Sequence, residues 1–167
     1  KQTSFNLVKF YRKHYKINCV TGVLFNHESQ LRPSDFVTQK IIEGVIQAKK
    51  NKTHKITLGN VEIKRDWGWA EEYIEAILKI TEASKIEDHV ICTGKSTSLM
   101  EFVKISYSKL GLNWQDHVKI DNKLKRKDET LESFGDPEPM EKNLNWKAKV
   151  NLEEIITKLI DFKIDNK

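Results

Sequence analysis

The first group of residues able to do chemistry is a polar loop, 26–32, that follows an apolar run. Asn26, His27, Ser29 and Arg32 offer several hydrogen-bond donors and one guanidinium, a set that suits phosphates and amides. Ligands of open α/β sheets bind beyond the carboxyl ends of strands, where this loop is predicted to lie. The alternative is a polar turn whose side chains only cap neighbouring elements.

Two further candidates contain arginine, which is scarce beside the many lysines of this chain. Arg65 stands before Asp66 and could clamp a phosphate, with the carboxylate orienting the guanidinium. The alternative is a surface ion pair. Arg126 and Glu129 share a charged loop and could hold a ribose or a base. The alternative there is a solvated loop, since mixed charges usually face water.

The periodicity of apolar residues predicts the helices that must position these loops. Residues able to cap helices stand at Ser34 or Asp35, at Ser98 and at Asn151. The predicted helices cover 2–15, 34–49, the segment around Tyr73 to Ile80, 98–110, and the tail from Asn151.

Two short apolar runs, 17–25 and 89–93, are typical of buried strands in a parallel sheet. Two β-like pieces, 55–58 and 61–64, flank Gly59-Asn60 and predict a hairpin or bend. Buried strands that alternate with helices predict an α/β fold. Because two central strands do not form a stable sheet alone, we expect the rest of the sheet to lie outside this chain.

The composition of the 167 residues, with only seven glycines and three prolines, excludes a collagen-like chain or Gly/Pro-rich disorder. No apolar run approaches a membrane span, so no membrane association is predicted. Cys19 and Cys92 lie in apolar segments, which is typical of reduced thiols in the cytoplasm.

A net charge of +5 raises the alternative of a lysine-rich nucleic-acid-binding module. Its densest basic cluster, 123–127, is short and is followed at once by acidic residues. Lysine is otherwise interleaved with Asp and Glu, as on solvated helix faces. We therefore expect no nucleic-acid partner.

Taken together, several segments resemble the GDP-mannose 4,6-dehydratases of the extended short-chain dehydrogenase/reductase superfamily. The matching segments are VTGVLFNHES at 20–29, FVTQKI at 36–41, LGNVEIKRDWGWAEEYIEA at 58–76, ICTG at 91–94 with the helix that follows, and NLNWKAKVNLEE at 143–154.

The resemblance implies an α/β fold, the C-terminal part of an NAD(P)-binding Rossmann fold with a smaller mixed α/β substrate-binding subdomain. It implies four segments: Rossmann helix and strand at 1–25, nucleotide-sugar-binding region at 26–86, returning Rossmann strand at 87–96, and substrate-binding subdomain at 97–167. The chain is then expected to lack an N-terminal cofactor half and to be inactive alone.

The resemblance also implies residue roles. Lys1 matches the lysine of a Tyr-x-x-x-Lys pair and is expected to be catalytic and to contact the nicotinamide ribose of NADP. His27 and Arg32 match NADP-binding positions. The positions that match GDP-sugar contacts are Asn26, Val37, Lys40, Arg65, Arg126 and Glu129.

The implied reaction converts GDP-mannose to GDP-4-keto-6-deoxymannose with loss of water, by an internal hydride cycle through NADP. The parent enzyme is expected to be a cytoplasmic homo-oligomer, a dimer or tetramer. Another nucleotide-sugar epimerase, dehydratase or reductase of the superfamily is the alternative. Gln30 and Leu31 depart from the family's usual HESPRRG, and Trp69 stands where a histidine is common.

Overall fold

The computed structural model describes residues 1–126 and 128–166. Its helices are α1 (Gln2–Tyr15), α2 (Val37–Lys50), α3 (Ala70–Glu82), α4 (Leu99–Lys109), α5 (Trp114–His117), α6 (Glu138–Leu144) and α7 (Leu152–Asp165). Its strands are β1 (Gly22–Leu24), β2 (Asn26–Glu28), β3 (Ile56–Leu58), β4 (Lys64–Arg65), β5 (Trp67–Trp69), β6 (His89–Ile91), β7 (Thr97–Ser98), β8 (Val118–Ile120) and β9 (Glu132–Ser133). The mixed α/β fold class is confirmed.

The strands pair across long sequence separations. β1 pairs with β6, β2 with β5 and β3 with β8, each in parallel, while β4 lies between antiparallel β7 and parallel β9. The hairpin alternative for 55–58 with 61–64 is therefore wrong, whereas the bend alternative is confirmed at Gly59. Gly59 packs against the backbone of Leu124, where an added Cβ would lie 2.9 Å from the carbonyl oxygen. This close approach explains the glycine without a hairpin turn.

Two of the predicted helix starts are confirmed. The Ser98 side chain accepts a hydrogen bond from the Glu101 amide, and Asn151 with Glu154 forms a reciprocal capping box. The predicted cap of α2 by Ser34 or Asp35 is wrong. That helix begins after Phe36 with no side-chain cap, and the Ser34 hydroxyl donates to the Glu43 carboxylate instead.

The main core lies where α2, α4 and α7 pack together against β3 and β5. It contains fully buried aliphatic side chains of α2 and α7 and the aromatic rings of α4. A smaller cluster joins Tyr73 of α3 to Ile91, Met140 and Trp146. These two clusters fix the short strands that carry the candidate site residues.

The prediction that 17–25 forms a buried strand is wrong in its burial. Val23 and Leu24 of β1 are 41% and 38% exposed, and α1 contains no buried residue. Apolar composition reports the preference of a segment for burial but not whether another surface covers it. In the described part of the chain, no helix combines the length and the apolarity that a membrane crossing requires.

Candidate functional site

The first part of the site is built by the pairing of β2 with β5. Asn26 lies opposite Trp67 and His27 opposite Gly68, so the carboxyl ends of both parallel strands meet at one edge. β5 continues directly into α3, whereas β2 leads into a loop that ends at α2. Asn26, His27 and Arg32 are thus placed at this edge, as the sequence predicted, with parts of each side chain accessible.

The His27 ring is held by its neighbours in a defined orientation. Its Nδ1 lies 2.9 Å from the carbonyl oxygen of Phe25, and its centroid lies 5.1 Å from that of Tyr73. A carbonyl can only accept, so Nδ1 carries the proton and Nε2 of the neutral ring is an acceptor. Tyr73 can approach because Gly68 has no Cβ, which would lie 2.3 Å from the tyrosine ring.

Arg32 is held on three sides. Its Nη1 donates to the carbonyl oxygen of His27 at 2.6 Å, and its guanidinium carbon lies 3.8 Å from the ring centroid of Phe36. Its Nε lies 3.6 Å from a carboxylate oxygen of Glu28. Within the described residues, the hydrogen bond from Nη1 is the only one that this guanidinium makes. The group therefore retains donors for an anion.

Glu28 is a member of this site that the sequence interpretation missed. Its side chain is 1% exposed and accepts a 2.9 Å hydrogen bond from the Thr38 hydroxyl. Burial raises its pKa to about 7, although the charge of Arg32 and the bond from Thr38 act in the opposite direction. The sequence did contain one signal for this contact, because Arg32 stands four positions after Glu28 in the polar loop.

The first turns of α2 carry Val37 and Lys40. Val37 is 37% exposed at the start of the helix, although Thr38 beside it is buried against Glu28. The exposed Lys40 donates from Nζ to the Thr57 carbonyl of β3 at 2.7 Å. α2 therefore joins the Arg32 loop at its first turn to the β3 region one turn later.

Arg65 lies on the central strand of the three-stranded sheet. It pairs with Thr97 on β7 and with Ser133 on β9. Its Nη1 donates to the carbonyl oxygen of Lys64 at 2.7 Å, and the residue is half-buried. The sequence left two alternatives for Arg65, a phosphate clamp and a surface ion pair with Asp66. In the structure, Arg65 does not form that ion pair.

Asp66 holds the backbone and does not orient Arg65. It is fully buried, and one carboxylate oxygen accepts from the Thr93 amide at 2.9 Å and the Thr93 hydroxyl at 2.7 Å. The other oxygen accepts from the Gly94 amide at 2.8 Å. The interpretation of Asp66 as the residue that orients Arg65 is therefore wrong, because its carboxylate ties the end of β4 to the end of β6.

The Arg126 and Glu129 loop is anchored at both ends to the same region. The Asp121 amide donates to the Leu58 carbonyl at 2.8 Å, and the Lys64 amide donates to the Leu131 carbonyl at 2.7 Å. Arg126 is exposed, whereas Glu129 is half-buried with Oε2 shielded and without a hydrogen-bond partner among the described residues. Lys127, part of the basic cluster at 123–127, lies outside the described residues.

Lys1 lies at the N-cap of α1. It borders a cavity of about 680 Å³ that is also lined by Phe5 and Val8 of α1 and by the segment 20–24. The Lys1 carbonyl accepts the first backbone hydrogen bond of the helix, from Phe5 at 3.0 Å. The cavity wall is mainly apolar, and Lys1 is its one charged lining residue among those described.

Two of the departures from the family pattern are explained by position. Leu31 is 81% exposed at the tip of the β2 loop, where many side chains fit. Trp69 is 4% exposed in the main core, opposite Glu28 on β2. Trp69 is therefore a packing residue here, and no ligand role is needed to account for it.

The paired strands and their hydrogen bonds hold three sets of groups from distant parts of the sequence. His27 and Arg32 sit with Glu28 at the end of β2, Lys40 reaches β3, and Arg65 lies beside the strand that closes the 121–131 loop. Cations and half-exposed polar groups of this kind bind phosphates, and a half-buried carboxylate accepts from hydroxyl or amide donors.

Comparison with known sequences places the chain in a family. The sequence profile of the family described as GDP-mannose 4,6 dehydratase matches residues 1–159. GDP-mannose 4,6 dehydratase 1 of Arabidopsis thaliana is 38% identical over 151 residues, which are 90% of this chain and 42% of the relative. The human GDP-mannose 4,6 dehydratase is 32% identical over 95% of this chain and 47% of its own length.

Solved structures share the fold. The structure of RMD from Pseudomonas aeruginosa complexed with NADPH superposes with a TM-score of 0.89 at 13% identity, over 100% of this chain and 55% of that one. A double mutant of DesIV, a dTDP-glucose 4,6-dehydratase from Streptomyces venezuelae with NAD and DAU bound, gives a TM-score of 0.87 at 15% identity, over 99% and 50%. The chain spans about half the length of the curated relatives it matches.

Proposed function

The chain belongs to the GDP-mannose 4,6-dehydratase family, and on that premise we propose that it binds GDP-mannose and NADP for a 4,6-dehydratase reaction. The observation that carries the proposal is the closure of the 121–131 loop against β3 and β4. The ends of this loop bond to β3, whose Thr57 carbonyl Lys40 contacts, and to β4, which carries Arg65, and these links support a shared site for a nucleoside diphosphate.

The substrate side of the site is assigned to the elements around β3, β4 and β9. Lys40, Arg65 and Arg126 supply positive charge for the diphosphate, and Glu129 accepts hydrogen bonds from the nucleoside. Asn26 and Val37 complete the contact set at the end of β2 and the start of α2. These assignments draw on both proposed segments, the nucleotide-sugar-binding region 26–86 and the substrate-binding subdomain 97–167.

The cofactor side is assigned to the β2 loop and to Lys1. Arg32 fits an anionic cofactor because its guanidinium is fixed by His27 and Phe36 and has donors to spare. His27 presents Nε2 as an acceptor for a hydroxyl or amide donor. Lys1 is proposed to contact the nicotinamide ribose. The nicotinamide, when bound, accepts a hydride from the sugar and returns it later in the same cycle.

The contribution of the chain's own residues is binding and proton control. Arg65 and its neighbours hold the diphosphate and so fix the position of the sugar, which is the larger part of such catalysis. The ammonium of Lys1 favours the deprotonated form of an acidic partner placed beside it. We further propose a homo-oligomer, as the family resemblance implies, and a cytoplasmic location, which the free thiols of Cys19 and Cys92 support.

Nucleotide binding tests the substrate assignment in the 167-residue chain. Isothermal titration should give tighter binding for GDP than for UDP or dTDP. Arg65→Ala should weaken GDP binding by about 1.5–3 kcal/mol, the scale of a hydrogen bond to a charged group. Lys104→Ala removes one positive charge from an exposed position of α4 and should leave the affinity unchanged.

Equal binding of the three nucleotides, or an equal loss in both variants, would contradict the assignment. The reaction is tested by incubating GDP-mannose with NADP and the complete product of the gene, with the 167-residue chain in parallel. The expected product is the 4-keto-6-deoxy sugar nucleotide. If none forms with the complete gene product, the proposed activity is wrong.

A further inference from the structure

Glu28 is a buried acid that lies between the two sides of the proposed site. Its carboxylate contacts Arg32, 3.6 Å from Nε, and Thr38, 2.9 Å from the hydroxyl. Arg32 belongs to the cofactor side, and Thr38 lies in the first turn of α2, between Val37 and Lys40 on the substrate side. No role for Glu28 follows from the proposed function itself.

The guanidinium does not depend on Glu28 for its position. The hydrogen bond from Nη1 to the His27 carbonyl and the stacking on the Phe36 ring hold it from two other directions. The distance of 3.6 Å from Nε to the carboxylate is an ion-pair contact without a hydrogen bond. The main effect of Glu28 on Arg32 is therefore electrostatic.

Few groups other than Arg32 influence the ionisation of the Glu28 carboxyl. Arg32 is the charged group that acts on this carboxyl, and the neighbouring Thr38 and Gln39 of α2 are neutral. On the adjacent strand β5, its pairing partner is Trp69, which is also neutral. The buried carboxylate is thus balanced by one cation, and any group that competes for that cation acts on Glu28 directly.

We propose that Glu28 is the internal counter-ion of Arg32 and takes up a proton from solvent when an anionic group of the cofactor binds to that guanidinium. An anion on the exposed side of Arg32 shares its positive charge and adds negative charge near the buried carboxylate. By linkage, the anion then binds more tightly as Glu28 becomes protonated. The inference rests on the proposed assignment of Arg32 to the cofactor.

The two states are accessible near neutral pH. In the free chain, burial raises the pKa of Glu28 to about 7, so its ionised and protonated forms coexist there. A phosphate roughly 7 Å away across the guanidinium should raise that pKa by about one unit, given Coulomb energies at protein surfaces. Proton uptake should therefore be greatest between about pH 7 and 8.

Carboxyl NMR titration of the complete gene product, free and with saturating NADPH, tests the proposal. The titration midpoint of Glu28 should rise by about one unit with NADPH, and also rise in Arg32→Gln without ligand. Asp88 is an internal control. It is paired with Arg12 of α1 at 2.7 Å and not with Arg32, so its titration midpoint should stay fixed.

Each other outcome is decisive. If NADPH shifts the amide signals of His27 and Arg32 but leaves the Glu28 midpoint unchanged, the proposal is overturned and the cofactor assignment stands. If Arg32→Gln leaves the midpoint unchanged, the counter-ion pairing is wrong. If NADPH shifts none of these signals, the assignment of Arg32 to the cofactor fails, and the proton uptake fails with it.

Discussion

Removing the Asp66 carboxylate should destabilise the fold more than its position beside an exposed strand would imply. The side chain is fully buried and accepts three hydrogen bonds, from the Thr93 amide and hydroxyl and from the Gly94 amide. Each such bond to a charged group contributes about 1.5–3 kcal/mol, although the contributions are not additive. Asp66→Ala also removes the cost of burying the carboxylate, so we expect a loss of about 3–5 kcal/mol.

A second variant separates the three bonds. Asp66→Asn keeps one oxygen for Thr93 but places an amide nitrogen, a donor, against the Gly94 amide. Losing one charged hydrogen bond should cost about 1.5–3 kcal/mol. Urea unfolding followed by circular dichroism measures both free energies, with equal m-values showing that the same transition is observed.

A matched control is Glu62→Ala, an exposed acid in the segment before β4. We expect it to change the free energy of unfolding by less than about 0.5 kcal/mol. If Asp66→Ala costs less than about 1 kcal/mol, the carboxylate does not hold β4 to β6. An equal loss for Asp66→Asn and Asp66→Ala would show that the bonds to Thr93 contribute little.

Three further predictions concern the supports of the site. Gly68→Ala should lower the free energy of unfolding, measured by urea titration, by about 1–3 kcal/mol, because the new Cβ would lie 2.3 Å from Tyr73. An unchanged stability would refute this packing. Glu28→Gln should match the wild-type stability below about pH 4.5 and exceed it at pH 8 by up to about 3 kcal/mol. The pKa of Glu28 is raised from 4.5 to about 7 in the folded state, so the wild-type stability falls as pH rises between these two values. Parallel stability–pH curves would refute the raised pKa. Asp88→Asn should lower the free energy of unfolding by about 2 kcal/mol at pH 7 and by less on acidification. Arg12 holds the pKa of Asp88 below its usual range, and this stabilisation is lost as pH falls below about 4. A loss independent of pH would refute the ion pair.

Local signals in the sequence predicted the local structure well. The spacing of apolar residues predicted the helix over 2–15 and the inward face of α3, where Tyr73 and Ile80 are buried. The side chains of Ser98 and Asn151 begin their helices as expected, since a cap depends on residues within one turn.

Non-local pairing was beyond the sequence signals. Ile56–Leu58 pairs with Val118–Ile120, and Lys64–Arg65 with Glu132–Ser133, so each partner lies more than 60 residues away. A two-residue strand has no periodicity to detect. Asp66 was misjudged for the same reason, because its partners Thr93 and Gly94 follow β6.

The candidate residues were found mainly through the family motifs, and the structure adds how they are held. The loop 26–32 was predicted to bind phosphates or to form a polar turn, and it does contain a fixed guanidinium. The burial of Glu28 could not be predicted, because it depends on α2 packing over β2 through Thr38.

The most direct test of the proposed site is an NMR titration of the 167-residue chain with GDP-mannose. Backbone and side-chain signals of Arg65, Lys40 and the 121–131 loop should shift together with one dissociation constant, while Arg12 and Lys104 remain unperturbed. That result would place the diphosphate beside Arg65, Lys40 and the 121–131 loop. Shifts confined to lysines spread over the surface, or none at saturating ligand, would contradict the account.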